Sequence, residues 1–308
     1  MPALQDGEVL LRVRACGVCR TDLHIVDEEL APKLPSVVPG HQIVGEVVDA
    51  CGVREPQIGD RVGVSWLGGT DGTCRYCRSD RENLCDRPTF TGYDRDGGYA
   101  EYAAARADFT FALPSALAAE AAAPLLCAGI IGFRALRIAE VQQGESVGLY
   151  GFGASAHLAL QVLRHWGCKV YVATRGSQHR RLAERLSAEW VGDALARPPR
   201  ELDRAITFAP SGEVVVSALA ALRKGGVVAI NAIHLDRMPP FDYDSLLWGE
   251  RQIRSVTNMT RRDARDFLDV AVQAAIQADR TTFTLQEASR VLDALREDRI
   301  EGAAVLVA

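Results

Sequence analysis

The chain has 308 residues, 48% of them hydrophobic and 24% charged, with a net charge of -5. That length allows two domains with sizeable cores, and with no basic block there is nothing for nucleic acid or a membrane surface to hold. No apolar run is long enough to span a bilayer, no basic-then-apolar leader opens the chain, and eight cysteines in a chain this long do not make a secreted disulfide scaffold. The expectation is a cytoplasmic protein whose clustered cysteines lean toward metal binding.

Val9 to Ala15 predicts a strand, closed by Cys16-Gly17-Val18-Cys19. A C-x-x-C pair alone is open between a metal pair, a redox pair, and one ligand beside one buried thiol. Cys19 is the better ligand because it borders the polar run Arg20-Thr21-Asp22-Leu23-His24, whereas Cys16 closes the strand. Thr21 and His24 are three positions apart and share a face if a helix begins here. Thr21 then reads as a helix cap, or with His24 as a proton relay, and Asp22 as a first-turn acid or as the carboxylate that orients a metal-bound histidine. Pro39-Gly40-His41 leads into a strand through Val48, and Gly59 to Val64 is a turn and another strand. Cys19, His41 and Cys127 form a Cys, His, Cys trio that leaves one position of a tetrahedral zinc open, as a catalytic site requires.

Cys74, Cys77 and Cys85 lie within a dozen residues and suggest a closed structural zinc. Asp71 is the candidate fourth ligand, a harder donor than thiolate; three free thiols are the alternative. Glu120 to Leu126 predicts a helix start before Cys127, and Ala128 to Glu140 its continuation. Ser146 to Tyr150 is a strand running into Gly151-Phe152-Gly153-Ala154-Ser155-Ala156, with a helix from about His157 to His165 and a strand over Lys169 to Ala173. This strand, G-x-G-x-x-A, helix, strand arrangement is the dinucleotide fingerprint, in which Gly151, Gly153, Ala154 and Ser155 bring backbone and a helix N-terminus to a pyrophosphate. After the second strand the chain reads Thr174-Arg175-Gly176-Ser177. No carboxylate is there for the ribose of NAD, and Arg175 and Ser177 suit a 2′-phosphate, so NADP is favoured over NAD.

Ser177 is expected to cap a helix through Leu186. Alternation then continues with Arg204–Phe208 as strand, Val214–Leu222 as helix, and Val227–Asn231 and Ile253–Val256 as strands. Asp263–Ala278 and then Leu285 onward read as helix, with a closing strand at Ala303–Val307. Alternating strands and helices imply a parallel sheet covered on both faces.

The motifs Cys-Gly-Val-Cys-Arg-Thr-Asp-Leu-His, Pro-Gly-His, the Cys74/Cys77/Cys85 lobe, Leu-Cys-Ala-Gly and Gly-Phe-Gly-Ala-Ser-Ala, in this order, resemble zinc-dependent alcohol dehydrogenases of the medium-chain dehydrogenase/reductase superfamily. The resemblance spans essentially the whole chain. It implies an α/β fold: a Rossmann doubly wound sheet over 129–260 plus a mostly β GroES-like catalytic domain over 1–128 and 261–308. It further implies that Cys19, His41 and Cys127 hold a catalytic zinc and that Arg20 contacts the cofactor pyrophosphate. Thr21 and His24 would carry the alcohol proton toward solvent, Asp22 would orient His41, and Trp66 would line a pocket for small substrates. A structural zinc on Asp71, Cys74, Cys77 and Cys85, an alcohol or aldehyde substrate, and a homodimer or homotetramer follow from the same resemblance. The departures are Gln42 where relatives carry Glu, Asp71 in place of the lobe's first Cys, and Gly302-Ala303-Ala304 without a cofactor-binding Arg. Relatives also carry a further pair of strands before Asp6. The competing expectations are a polyol or aryl-alcohol dehydrogenase of the same fold and a catalytically impaired nucleotide-binding paralogue.

Overall fold

The computed structural model describes every residue except 116, 298 and 301. Residues 1–127, 258–268 and 277–308 form one compact unit, and residues 128–257 with 269–276 form a second. Segment 269–276, expected with the first unit, falls in the second, because one continuous helix, Arg261–Gln273, belongs to the first unit at its start and to the second at its end.

The first unit begins with β1 (Glu8–Val18), α1 (Arg20–Val26), β2 (Gln42–Cys51), β3 (Arg61–Val64), β4 (Leu67–Gly69), β5 (Thr89–Phe90), β6 (Tyr102–Arg106), β7 (Thr110–Ala112) and α2 (Ala119–Ala122). The second contains α3 (Ala128–Ile138), β8 (Ser146–Tyr150), α4 (Ala154–His165), β9 (Lys169–Ala173), α5 (Ser177–Arg185), β10 (Trp190–Gly192), β11 (Leu202–Thr207), α6 (Gly212–Ala220), β12 (Leu222–Ile230), α7 (Tyr243–Leu246) and β13 (Gln252–Ser255). The helix Arg261–Gln273 is α8; β14 (Arg280–Thr284), α9 (Ala288–Arg296) and β15 (Ala303–Val307) complete the first unit.

β1 organises the first unit. It pairs with β2, β6 and β15, and the sheet runs β14-β15-β1-β2-β3-β7 with β6 also on β1. Val9, Leu11, Val13 and Cys16 join Ile43, Val47, Val62, Val64 and the alanines of β6 in one core cluster. β2 runs along β1 from Glu8 to Gly17, while β6 pairs with its first half, Glu8–Arg12, and β15 with its end, Ala15–Val18. The register sets Gly17 opposite Gln42, so the end of β1 that carries Cys19 lies beside the start of β2, next to His41.

All six strands of the second unit are parallel, in the order β10-β9-β8-β11-β12-β13. Counted within the unit this is 3-2-1-4-5-6, the order of a Rossmann sheet, whose ligand crevice lies at the carboxyl ends of the strands where the order reverses. Here that point lies between β8 and β11. The central strands β8, β9 and β11 are buried along their carboxyl-terminal halves, as a sheet covered on both faces demands, with the polar residues Lys169, Asp203 and Arg204 near their starts.

Local differences from the sequence reading have definite causes. The helix expected over 120–140 is broken at Cys127, whose backbone (φ -130, ψ -70) leaves the helical region after a 3-10 turn over Ala123–Leu126. Pro124 in that turn supplies no backbone donor. Gly176 (φ 79), and not Ser177, holds the cap position of α5. The helix expected over 214–222 starts earlier, where Asp236 accepts from Gly212 N, and ends at Ala220 so that Leu222 can open β12. Strand β10, only three residues long, and strand β14, Arg-Thr-Thr-Phe-Thr and so too polar to stand out, were not anticipated.

Candidate active site and metal centres

Cys19 is the residue on which β1 ends and α1 begins, with an extended backbone (φ -141, ψ 176). It thus takes the cap position offered to Thr21 in the sequence, and Thr21 is the second residue of the helix. Asp22, fully buried, accepts from Cys19 N at 2.8 Å through Oδ2 and from Gly40 N at 3.2 Å through Oδ1. Its Oδ1 also lies 3.3 Å from His41 Nδ1. A carboxylate taken out of water costs several kcal/mol unless it is paired, and here two backbone donors and an imidazole surround it. One side chain therefore ties the two ligand-bearing loops together and sets the imidazole so that Nε2 faces Cys19, 3.3 Å from its Sγ.

The loop presenting His41 is gripped from the other side. Gly97 N donates to Val38 O, Gly98 N to Gly40 O and Tyr99 N to Pro39 O. Gly40 has φ +98, and a Cβ there would fall 2.4 Å from the Tyr99 ring, so only glycine fits under that clamp. Cys127 arrives from the break between α2 and α3, where Ser65 Oγ donates to Leu126 O at 2.5 Å. Cys19 Sγ, the His41 ring nitrogen and Cys127 Sγ all lie within 4.8 Å of one another. Zinc–ligand bonds of about 2.0–2.3 Å in a tetrahedron put donors about 3.5–3.8 Å apart, so the trio fits a metal.

Its electrostatics agree. The Cys19 thiol is pulled down to about 5, first by the Cys127 thiol that hydrogen-bonds to it and also by the charge of His41, against the effect of burial. Cys127 is pushed up for the same shared bond and by burial. Burial opposes a charged His41, but Cys19 and Asp22 outweigh it and raise its pKa. A bound dication would favour the deprotonated thiols and the neutral imidazole that ligate it.

The second cluster is Asp71, Cys74, Cys77 and Cys85, again with all donor atoms within 4.8 Å of one another. Cys74 Sγ lies 3.6 Å from Cys77 Sγ and 3.9 Å from Cys85 Sγ, metal-site spacings and far from the ~2.05 Å of a disulfide. Asp71 Oδ1 accepts from the backbone of Cys74 and Thr73, each at 2.9 Å, which holds its carboxyl well below the usual range. Burial pushes Cys77 up to about 12. The lobe has only two short 3-10 turns of its own. Glu82, which the sequence did not single out, anchors it by accepting from Arg261 N at 2.7 Å, Nε at 2.9 Å and Nη2 at 2.6 Å.

Trp66 stands edge-on to His41, with ring centroids 5.1 Å apart. Phe90 stacks behind it at 4.8 Å and Tyr93 at 6.1 Å; neither was foreseen, since aromatic residues 24 and 27 positions away carry no periodic signal. Gln42 is buried at the start of β2. Arg20 is exposed at the first position of α1, and Thr21 and His24 are half-buried on that helix.

In the second unit, Gly151 (φ +85) turns the chain after β8, and a Cβ there would fall 2.9 Å from Ala209 N just beyond β11. Nothing lies within 4 Å of a Cβ built on Gly153, which leaves room for a phosphate above the N-terminus of α4, where Ala154 and Ser155 are the first residues. Thr174 is buried at the end of β9, and Arg175 beside it is exposed.

A Rossmann sheet with its glycine-rich crevice, and a β-rich unit carrying a three-donor and a four-donor cluster that could each hold a metal ion, are the features that comparison with known proteins places in a family. Residues 5–115 match the alcohol dehydrogenase GroES-like domain, and residues 156–273 match the zinc-binding dehydrogenase domain. A probable alcohol dehydrogenase, AdhA, of Mycobacterium tuberculosis (strain CDC 1551 / Oshkosh) is 48% identical over 313 aligned positions, covering 100% of this chain and 90% of that protein. An alcohol dehydrogenase of Geobacillus stearothermophilus is 34% identical, covering 99% and 93%. The crystal structure of the alcohol dehydrogenase of the hyperthermophilic archaeon Aeropyrum pernix superposes with a TM-score of 0.86 at 28% identity, covering 100% and 94%. The chain belongs to the alcohol dehydrogenase family of medium-chain, zinc-binding dehydrogenases.

Proposed function

We propose that this protein is a cytoplasmic, zinc-dependent dehydrogenase that moves hydride reversibly between a small primary or secondary alcohol, or its carbonyl product, and NAD(P), with NADP preferred. The observation that carries the reading is the convergence of Cys19, His41 and Cys127 on one point with Asp22 behind His41. Sulfur and imidazole donors suit zinc. When bound, zinc acidifies an alcohol hydroxyl and polarises a carbonyl, and the nicotinamide takes or returns the hydride.

The residues do the rest. Cys19, His41 and Cys127 hold the metal at three corners and leave the fourth to substrate. Asp22 keeps the His41 ring in register. Thr21 accepts the proton of the alcohol, and His24, three residues along the same helix, passes it toward solvent. Trp66 limits the width of the substrate that reaches the metal. Arg20 meets the anionic cofactor; Gly151, Gly153, Ala154 and Ser155 cradle its pyrophosphate; Thr174 leaves the ribose without a carboxylate partner; and Arg175 receives a 2′-phosphate. Asp71, Cys74, Cys77 and Cys85 hold a second, structural zinc, and the working form is a homodimer or homotetramer.

Metal analysis with a cofactor-reduction assay tests this. Two zincs per chain and turnover of small alcohols, faster per KM with NADP than with NAD, are expected. Zinc bound without turnover of any alcohol or aldehyde would overturn the enzymatic reading, and a strong preference for NAD would overturn the role of Arg175. Stacking of Phe90 and Tyr93 behind Trp66 favours a second reading, an aryl alcohol as substrate. A panel running from ethanol to benzyl alcohol separates the two.

A further inference from the structure

We propose that Glu29 is a positioning residue for the proton relay: it holds His24 in the tautomer that carries its proton on Nδ1, so that Nε2 is the acceptor. The proposal rests on the reading of Thr21 and His24 as that relay. His24 sits in the last turn of α1, and its Nδ1 is hydrogen-bonded to Glu29 Oε2. A carboxylate only accepts, so the shared proton belongs to Nδ1, and the remaining lone pair of the ring is on Nε2.

The backbone is shaped to deliver this contact. After α1 the chain does not run on. Asp27 N donates to Leu23 O, Glu28 N to Ile25 O, and Leu30 N reaches back to His24 O at 3.1 Å. That reversal requires Glu28 to take φ 57, a conformation L side chains rarely adopt, and it turns Glu29 back alongside the helix. Asp27 lies close enough to feel the charge of His24, but its hydrogen bonds go to Arg296 of α9, which donates through Nη2 at 2.5 Å and Nε at 3.2 Å. Glu29 is therefore the carboxylate given to His24. Its side chain is 56% exposed, against 22% for His24, so the pair stands between the half-buried helix and water.

In alcohol oxidation the proton leaving the substrate would reach His24 Nε2 by way of Thr21 and a cofactor ribose hydroxyl. The imidazolium so formed keeps its Nδ1 proton on Glu29, and the Nε2 proton passes to water. The starting tautomer is restored without a ring flip, and Glu29 is never itself protonated. Without Glu29 the ring is free to carry its proton on Nε2, where it blocks the relay.

The test uses full-length enzyme with ¹⁵N-labelled histidine, the His24 signals being assigned with His24→Ala. In the wild type His24 is expected as the Nδ1–H tautomer, and in Glu29→Ala as a mixture richer in Nε2–H. With alcohol substrate, kcat of Glu29→Ala falls about 10-fold, a part of the ~10²–10⁴ that positioned proton transfer supplies, with KM unchanged within about twofold. In a His24→Ala background the same substitution has no further effect, because it acts through the ring. An unchanged tautomer in Glu29→Ala, or an equal loss of kcat with and without His24, overturns the proposal. If His24→Ala turns over like the wild type, the relay reading itself fails and takes the proposal with it, a result distinct from either of those.

Discussion

The two donor clusters of the first unit are made by opposite means. Cys19, His41 and Cys127 come from the ends of three separate segments and meet in the interior, where β1, β2 and the turn after α2 bring them together. Asp71, Cys74, Cys77 and Cys85 come from fifteen consecutive positions at the surface, in a stretch with almost no regular structure. The first cluster is framed by core strands and turns. The second has little regular structure of its own beyond two short turns and is anchored through Glu82 and Arg261, so under the proposed function ligation would contribute more to its order. Under the proposed function, three donors with an open corner would serve chemistry, and four donors without one would serve stability.

Four substitutions break or sharpen this contrast. Cys19→Ser should have the largest effect, lowering turnover by at least about 10³-fold, since several kcal/mol of polarisation go with the metal. The melting temperature should stay within a few degrees, because the core and not the metal holds this region; a large drop would mean that the two clusters are alike. Asp22→Asn should weaken metal binding or activity by about 10–100-fold, the usual cost of losing the partner behind a ligating histidine. Isothermal titration of zinc into the apoprotein reads this directly, and unchanged affinity would show that Gly40 N and Cys19 N are the true partners of Asp22. Asp71→Ala should reverse the pattern of Cys19→Ser. Zinc content falls from two to one per chain and the melting temperature falls by several degrees, while kcat of the folded enzyme changes by less than about threefold. If zinc content and melting are both untouched, Asp71 is not a ligand. Arg87→Ala should do least. Arg87 Nε lies 3.6 Å from Asp71 Oδ2, but its side chain is 80% exposed, and such pairs add little. A shift in melting of more than about 2 °C would mean that the arginine helps to hold Asp71 in place.

The clusters also differ in how openly they are written. The lobe is local: the C-x-x-C at 74 and 77 with Cys85 close by announces a metal from spacing alone, and Asp71 is three residues from the first thiol. Of the buried trio, Cys19 stood out at a Cys-polar junction and His41 at a Pro-Gly turn, whereas Cys127 was singled out as the second thiol of a Cys, His, Cys set, and the helix break that presents it was not foreseen. The strand before Gly151 and the helix after it were likewise evident, because their period and glycine spacing are local. What escaped notice acts at long range or through the backbone. Glu82 meets Arg261 across 179 positions, Phe90 reaches Trp66 by stacking, and Glu29 reaches His24 only because Glu28 adopts a left-handed turn. The short strands β10 and β14 exist through their neighbours, Tyr171–Ala173 and Ala303–Val307, and not through propensity.

By itself the sequence determined the kinds of chemistry present: thiol and imidazole donors, a glycine-rich phosphate cradle, and a hydroxyl and an imidazole on one helical face. These are properties of residue type and short spacing, which the chain carries into any fold. Only the tertiary structure decided how they combine. It buried Cys16 under Tyr99 and Gly40 and set Cys19, the thiol the sequence already favoured, at the mouth of α1 beside His41 and Cys127. It put Asp22 behind His41, and it paired His24 with Glu29 and Asp27 with Arg296. Those choices depend on sheet register and on where each backbone turn points the next side chain, and neither is fixed until distant strands have paired.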